Sequence, residues 1–246
     1  MRAAVGPTQR SASVKRILVP TVTGRDWQRL LAQPDLHWAA GKSAMSAAAS
    51  WEDAAPRLPP EITAALDAAN DPDLSGLELL LATPEWEVSL PGGTTASCTD
   101  VLAIASNARG LAAIAVEAKV DEEFGPTIGE KRRAASAGQV ERLEFLHRTL
   151  RLAAPLPDDV RYQLLHRTAS AVLAARSFHA STAVMIVQSF SPESRWLGDY
   201  QRFCRALGVS STTGVAQPVP DQSSPRLFLG WCSGDQRFRK IDLRVT

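Results

Sequence analysis

Scarcity narrows this chain before any motif does. It holds three cysteines, Cys98, Cys204 and Cys232, widely spaced and in no CxxC or zinc-ligand pattern. That argues against a disulfide scaffold or a structural zinc site and points to free thiols in a reducing compartment. None of the four histidines has a partner at ligand spacing. His37 and His147 stand alone, and His166 and His179 sit among apolar residues, where a histidine is more often packed than ligating. No apolar run approaches the ~20 residues of a membrane span. Arg2 and Arg10 are not followed by the apolar stretch of a secretory signal, so the expected location is the cytoplasm, with no membrane partner. Gly41-Lys42-Ser43 looks like a phosphate loop, but Leu36 stands where the earlier glycine is needed and no strand precedes it. Ser97 and Ser170 lack a Ser–His–Asp context. A net charge of +1 gives no global argument for nucleic acid.

What is present is local. Residues 51–130 carry 15 acids against Arg57, Arg109 and Lys119, whereas residues 131–176 carry 9 bases against 4 acids. A phosphate backbone can exploit such an asymmetry. The chain has 246 residues, of which 45% are hydrophobic, as in globular proteins. Residues 1–14 are small and polar and read as flexible. Residues 15–246 read as one domain with an N-terminal helical extension and a core at about 74–190.

Patterning supplies the elements. Residues 16–20 suggest a strand. Asp26 is a candidate cap for a helix over 27–32, and further helices are expected over 41–55 and 59–69. Residues 74–82 fit a short helix or strand, and 85–90 alternate like a strand. Two apolar runs, 101–105 and 111–116, flank a turn at Asn107, Arg109 and Gly110 and read as an antiparallel pair. Helices are expected over 129–137 and 139–152, with Gly138 as a break, and over 160–178 with Asp159 as the cap. Residues 183–187 and 227–232 read as strands, 192–208 as helical and 209–225 as loop. This order predicts an α/β three-layer sandwich with a mixed central β-sheet flanked by helices.

The chemistry concentrates at the ends of the central pair. Side chains alternate along a strand, so Glu117 and Lys119 share a face. Antiparallel pairing brings Asp100 to the same sheet edge. Two nearby carboxylates repel, and a cation between them relieves the repulsion. Oxygen ligands with open water positions suit Mg²⁺ or Mn²⁺. Lys119 can then hold an attacking water or stabilise charge on a phosphate.

Asp100 followed by Glu117-Ala118-Lys119 resembles the PD-(D/E)XK nuclease superfamily, with Thr99 where the proline of that name stands. The segments LPGG (90–93), VEAKVDEEFGPT (116–127) and RYQLLHRTASAV (161–172) resemble an uncharacterised bacterial family grouped with these nucleases, over about residues 38–231. The resemblance implies a restriction-endonuclease-like fold and metal-dependent hydrolysis of nucleic acid, with DNA as the expected partner. It implies Asp100, Glu117 and Lys119 as catalytic residues. Asp100 and Glu117 would hold Mg²⁺ or Mn²⁺, with the Ala118 carbonyl as a further candidate ligand. It also implies an auxiliary acid upstream, Glu78 or Glu85, and an auxiliary glutamine beside a tyrosine, Gln163, to orient Lys119 or bond a phosphate. Arg167, one helical turn beyond Gln163, is the expected phosphate clamp. A homodimer is a further possibility that the resemblance carries. The competing readings are a non-catalytic nucleic-acid- or protein-binding member of the same fold, and an unrelated α/β enzyme.

Overall fold

The alternating and helical patterns meet in one sheet. The structure, a computed structural model, describes residues 23–133 and 135–245. The expected flexible stretch at 1–14 and strand at 16–20 lie outside the described residues. A 3-10 helix at Gly24–Leu30 comes first. Asp26 sits in its first turn and accepts the Thr23 N–H at 3.1 Å, so Thr23 and not Asp26 is the cap residue. Then follow α1 (Pro34–His37), α2 (Ser43–Ala54) and α3 (Pro60–Asp67). Three strands come next: β1 (Glu78–Val88), β2 (Ser97–Asn107) and β3 (Gly110–Lys119). The remainder is α4 (Ile128–Arg133), α5 (Ala137–Thr149), α6 (Tyr162–Ser177), β4 (Thr182–Ser189), α7 (Leu197–Ala206), β5 (Gln217–Ser223), β6 (Arg226–Ser233) and a 3-10 turn at Gln236–Lys240.

The sheet order is β1-β2-β3-β4-β6-β5. The first three strands run antiparallel, β3, β4 and β6 are parallel, and β5 returns antiparallel at the far edge. The sheet is therefore mixed, with helices on both faces, as the element order predicts. Residues 74–82 and 85–90 are not two elements: β1 runs through both, with a bulge between Leu79 and Leu81. β5 occupies the expected loop. Pro218 and Pro220 hide it, yet an edge strand has one partner and can spare N–H groups. α6 starts at Tyr162 with Arg161 as its cap residue, so Asp159 does not cap it. Gly138 does not break a helix but lies in the first turn of α5, behind a capping box in which Ser136 and Gln139 bond each other's backbone.

Alternation sorts the core into two layers. Leu102, Ile104, Ala113, Ala115, Met185 and Val187 face α5, α6 and α7. Val101, Ala103, Ile114, Val116, Val184 and Ile186 face α2 and α3. Each fully buried large side chain contributes about 1.5–3 kcal/mol. Glu117 and Lys119 share the parity of Ala113 and Ala115, so the end of β3 turns its polar residues under α6. Among the described residues no helix is long and apolar enough to cross a membrane.

Candidate active site

The β2–β3 register pairs Val101 with Val116, and continuing it by one residue sets Asp100 opposite Glu117. The β1–β2 register pairs Pro84 with Val101 and Trp86 with Thr99, which sets Glu85 opposite Asp100. Three acids thus form a row across three strands. They line one pocket of about 560 Å³ together with Lys119, Gln163 and Arg167. Its outer wall includes Leu31, His37 and Ser43 from the N-terminal helices. Glu122 ties that wall to the sheet, accepting the Ser43 N–H and the Val120 N–H, each at 3.0 Å.

The three expected catalytic residues therefore come together. Lys119 Nζ lies 2.8 Å from Glu117 Oε1, and both residues are buried. The Lys119 ammonium also lies 5.0 Å from the centre of the Phe124 ring. Asp100 Oδ2 accepts the Ala118 N–H at 2.7 Å. Of the two candidate auxiliary acids, Glu85 is in the row and Glu78 is not. Glu78 is exposed and pairs with Ser106, six residues from Asp100 along β2, or about 20 Å at about 3.3 Å per residue. It is the first residue of β1.

Two expected roles change. Gln163 does not orient Lys119: its Nε2 donates to Glu117 Oε1 at 2.7 Å. Arg167 does not reach outward as a phosphate clamp. It is 8% exposed, its Nε donates to Glu117 Oε2 at 2.5 Å and its Nη1 to Ser97 Oγ at 2.9 Å. The physical reason is that an unpaired buried carboxylate is costly, and α6 supplies the guanidinium that compensates Glu117.

The acids divide by environment. Burial raises the Asp100 carboxyl well above the usual carboxylate range, and the nearby Glu117 and Glu85 add to it. Burial raises Glu85 as well. Burial would also raise Glu117, but the charges and hydrogen bonds of Arg167 and Lys119 outweigh it and bring that carboxyl down to about 2. Neighbouring acids pushed apart in this way suit different tasks. Glu85 also has a left-handed backbone, φ +49°, which a side chain makes unfavourable, and its Oε2 accepts the Cys98 S–H at 3.0 Å. Burial holds that thiol protonated.

A second network lies behind the first and was not legible in the sequence. Ser97 Oγ lies 2.8 Å from His166 Nδ1 and 2.9 Å from Ser170 Oγ, and Ser170 Oγ lies 2.8 Å from the His166 carbonyl. Arg167 Nη1 and Ser170 Oγ both donate to Ser97 Oγ, which joins His166 to the network through Nδ1. Burial, reinforced by the charge of Arg167, lowers the His166 pKa to about 3 and keeps the ring neutral. This is no hydrolase triad: the Ser97 hydroxyl is buried and already accepts from Arg167.

Asp100 and Glu117 are the oxygen donors that a hard divalent ion would take here. Asp100 Oδ1 receives no hydrogen bond among the described residues, and Glu117 faces it across the strand pair. No group of three or more His, Cys, Asp or Glu among the described residues is arranged to hold a metal. Two carboxylates with the remaining positions left to water and substrate is a common arrangement for Mg²⁺.

The fold and site define an α/β protein with a charged cluster at the carboxyl end of a central strand. The chain belongs to the family described as Domain of unknown function (DUF6946), whose model matches residues 20–236. No curated protein and no solved structure matches the chain.

Proposed function

We propose that the protein hydrolyses phosphodiester bonds in nucleic acid, DNA first among them, with Mg²⁺ or Mn²⁺ bound by Asp100 and Glu117. The observation that carries this reading is the register: it sets Asp100 against Glu117 with the Lys119 ammonium 2.8 Å from Glu117, all lining one pocket. When bound, the ion supplies positive charge to the phosphate oxygens and to water. The chain's own groups do the rest. Lys119 orients water or holds a non-bridging phosphate oxygen. Gln163 and Arg167 fix the Glu117 carboxylate, and Arg167 remains as its counter-charge when Lys119 turns toward substrate. Phe124 covers the ammonium and limits water around it.

The test is incubation of the purified protein with plasmid in Mg²⁺ or Mn²⁺, alongside Lys119→Ala and Asp100→Ala. Cleavage by the wild type that is lost in both variants is the expected result; cleavage retained in both overturns the reading. One observation favours a second reading, a non-catalytic binder of nucleic acid or protein: both Glu117 oxygens are already held by protein donors. Salt-sensitive binding without cleavage in any metal is its signature.

A further inference from the structure

A second pocket of about 460 Å³ adjoins the acidic one, and Ala96, Lys131, Tyr162 and His166 line both. Its charge is the reverse. Lys131 and Arg142 line it, and no Asp or Glu is among its described lining residues. The Lys131 ammonium lies 5.4 Å from the centre of the Tyr162 ring and has no carboxylate partner among the described residues. The Arg142 guanidinium is turned to backbone, donating to the Pro91 carbonyl at 2.8 Å and the Leu90 carbonyl at 3.3 Å, so its charge is also left uncompensated.

The walls are built and not incidental. The loop at Gly92 packs directly on α5: a Cβ at Gly92 would lie 1.8 Å from the Gly138 carbonyl oxygen, and one at Gly138 would lie 2.6 Å from the Gly92 oxygen. Gly92 also has φ +76°, a conformation that glycine adopts freely. Arg142 then clips the same loop to α5. At the junction with the acidic pocket stands His166, which lines both and is held from behind by Ser97.

We propose that this basic pocket binds the nucleotide next to the scissile bond, its phosphate on Lys131 and Arg142 and its polar edge beside His166. The proposal rests on the nuclease reading for its choice of ligand, and its geometry does not depend on catalysis. The pocket has room for more than a phosphate, and the Tyr162 ring, under the Lys131 ammonium and 5.0 Å from the His166 ring, sets aromatic and cationic groups together, a combination that suits single-stranded nucleic acid. Opposite charges in adjoining pockets would fix which way a strand lies: cation-bound phosphate on one side, protein-bound phosphate on the other.

The test is fluorescence anisotropy of a short fluorescein-labelled single-stranded oligonucleotide in EDTA, where no divalent-dependent cleavage occurs. Lys131→Ala is expected to weaken binding by about three- to tenfold and to flatten the salt dependence by about one unit of slope. Arg148→Ala, which removes an exposed arginine paired with Glu144, is the control and leaves affinity unchanged. Inorganic phosphate and a nucleoside monophosphate are added as competitors. Displacement by the nucleotide, reduced in Lys131→Ala, supports the nucleotide assignment; displacement by phosphate alone overturns it in favour of a simple anion site. No binding by the wild type, or equal losses in both variants, overturns the proposal. Binding intact with no cleavage in metal instead sinks the nuclease reading and leaves this pocket standing.

Discussion

The two adjoining pockets share four residues and differ in almost everything electrostatic. In the acidic pocket the row of three carboxylates meets two buried cations, and each of these five groups is held by another side chain or by backbone. In the basic pocket two cations meet no carboxylate. The first keeps its charges by pairing them, so its residues are bound to stability. The second leaves the Lys131 charge for a ligand, so that residue can change with little effect on the fold. A single strand crossing both would meet an arrangement in which protein interactions are traded for substrate at one end and simply added at the other.

The sharpest way to break that contrast is activity. Lys119→Ala is expected to lower plasmid cleavage by about 10²–10³-fold, the range for removing one charge-stabilising donor. Lys131→Ala should cost only the binding loss given above. Equal losses would mean that the two lysines do the same job.

Stability comes next. Glu117→Gln leaves Lys119 and Arg167 buried without their counter-ion, and breaking such a pair costs about 3–5 kcal/mol. Denaturant unfolding should show that loss, while Lys131→Gln should stay within about 0.5 kcal/mol of wild type. A tolerant Glu117→Gln would show that the buried cluster does not carry the pairing described.

Asp100 is expected to move the other way. Its folded-state pKa is raised by burial, so the unfolded chain ionises first as pH rises. Stability contributed by this group is present below about pH 3.9, the ordinary Asp value, and is lost as pH climbs toward the raised one. Asp100→Asn keeps an oxygen for the Ala118 N–H and removes the charge. It should raise the metal-free thermal midpoint at pH 7, by about 2–4 °C for each kcal/mol gained, with the advantage shrinking on acidification. The opposite sign holds for Glu117, whose lowered pKa gives stability that is lost as pH falls toward about 2. Parallel pH profiles for the two variants would remove the distinction between these acids.

The sheet half of this site was legible because strand period is simple. Two apolar runs and a turn fix an antiparallel pair, and counting from the turn brings Asp100 to Glu117. The helical half was not. A helix pattern tells which residues share a face but not what that face meets, so Arg167 reads as an outward clamp until Glu117 is seen beneath it. Glu78 and Glu85 stayed open because 74–82 and 85–90 read as separate segments, whereas one strand, β1, carries both acids. The Ser97–His166 contact spans 69 residues, and no local spacing announces it. Lys131 was counted only within a basic segment, because an absence of neighbouring carboxylates becomes visible only in space. β5 escaped because its prolines signal a loop, a rule that loosens at a sheet edge.

The contact between Gly92 and Gly138 has a practical consequence. Main chain meets main chain there, so the gap between loop and helix is set where no side chain intervenes. Lys131 can then be exchanged while the width of the cleft stays put. Few surfaces allow charge to be varied without also varying shape; this one offers a fixed frame in which the electrostatic share of ligand capture can be measured by itself.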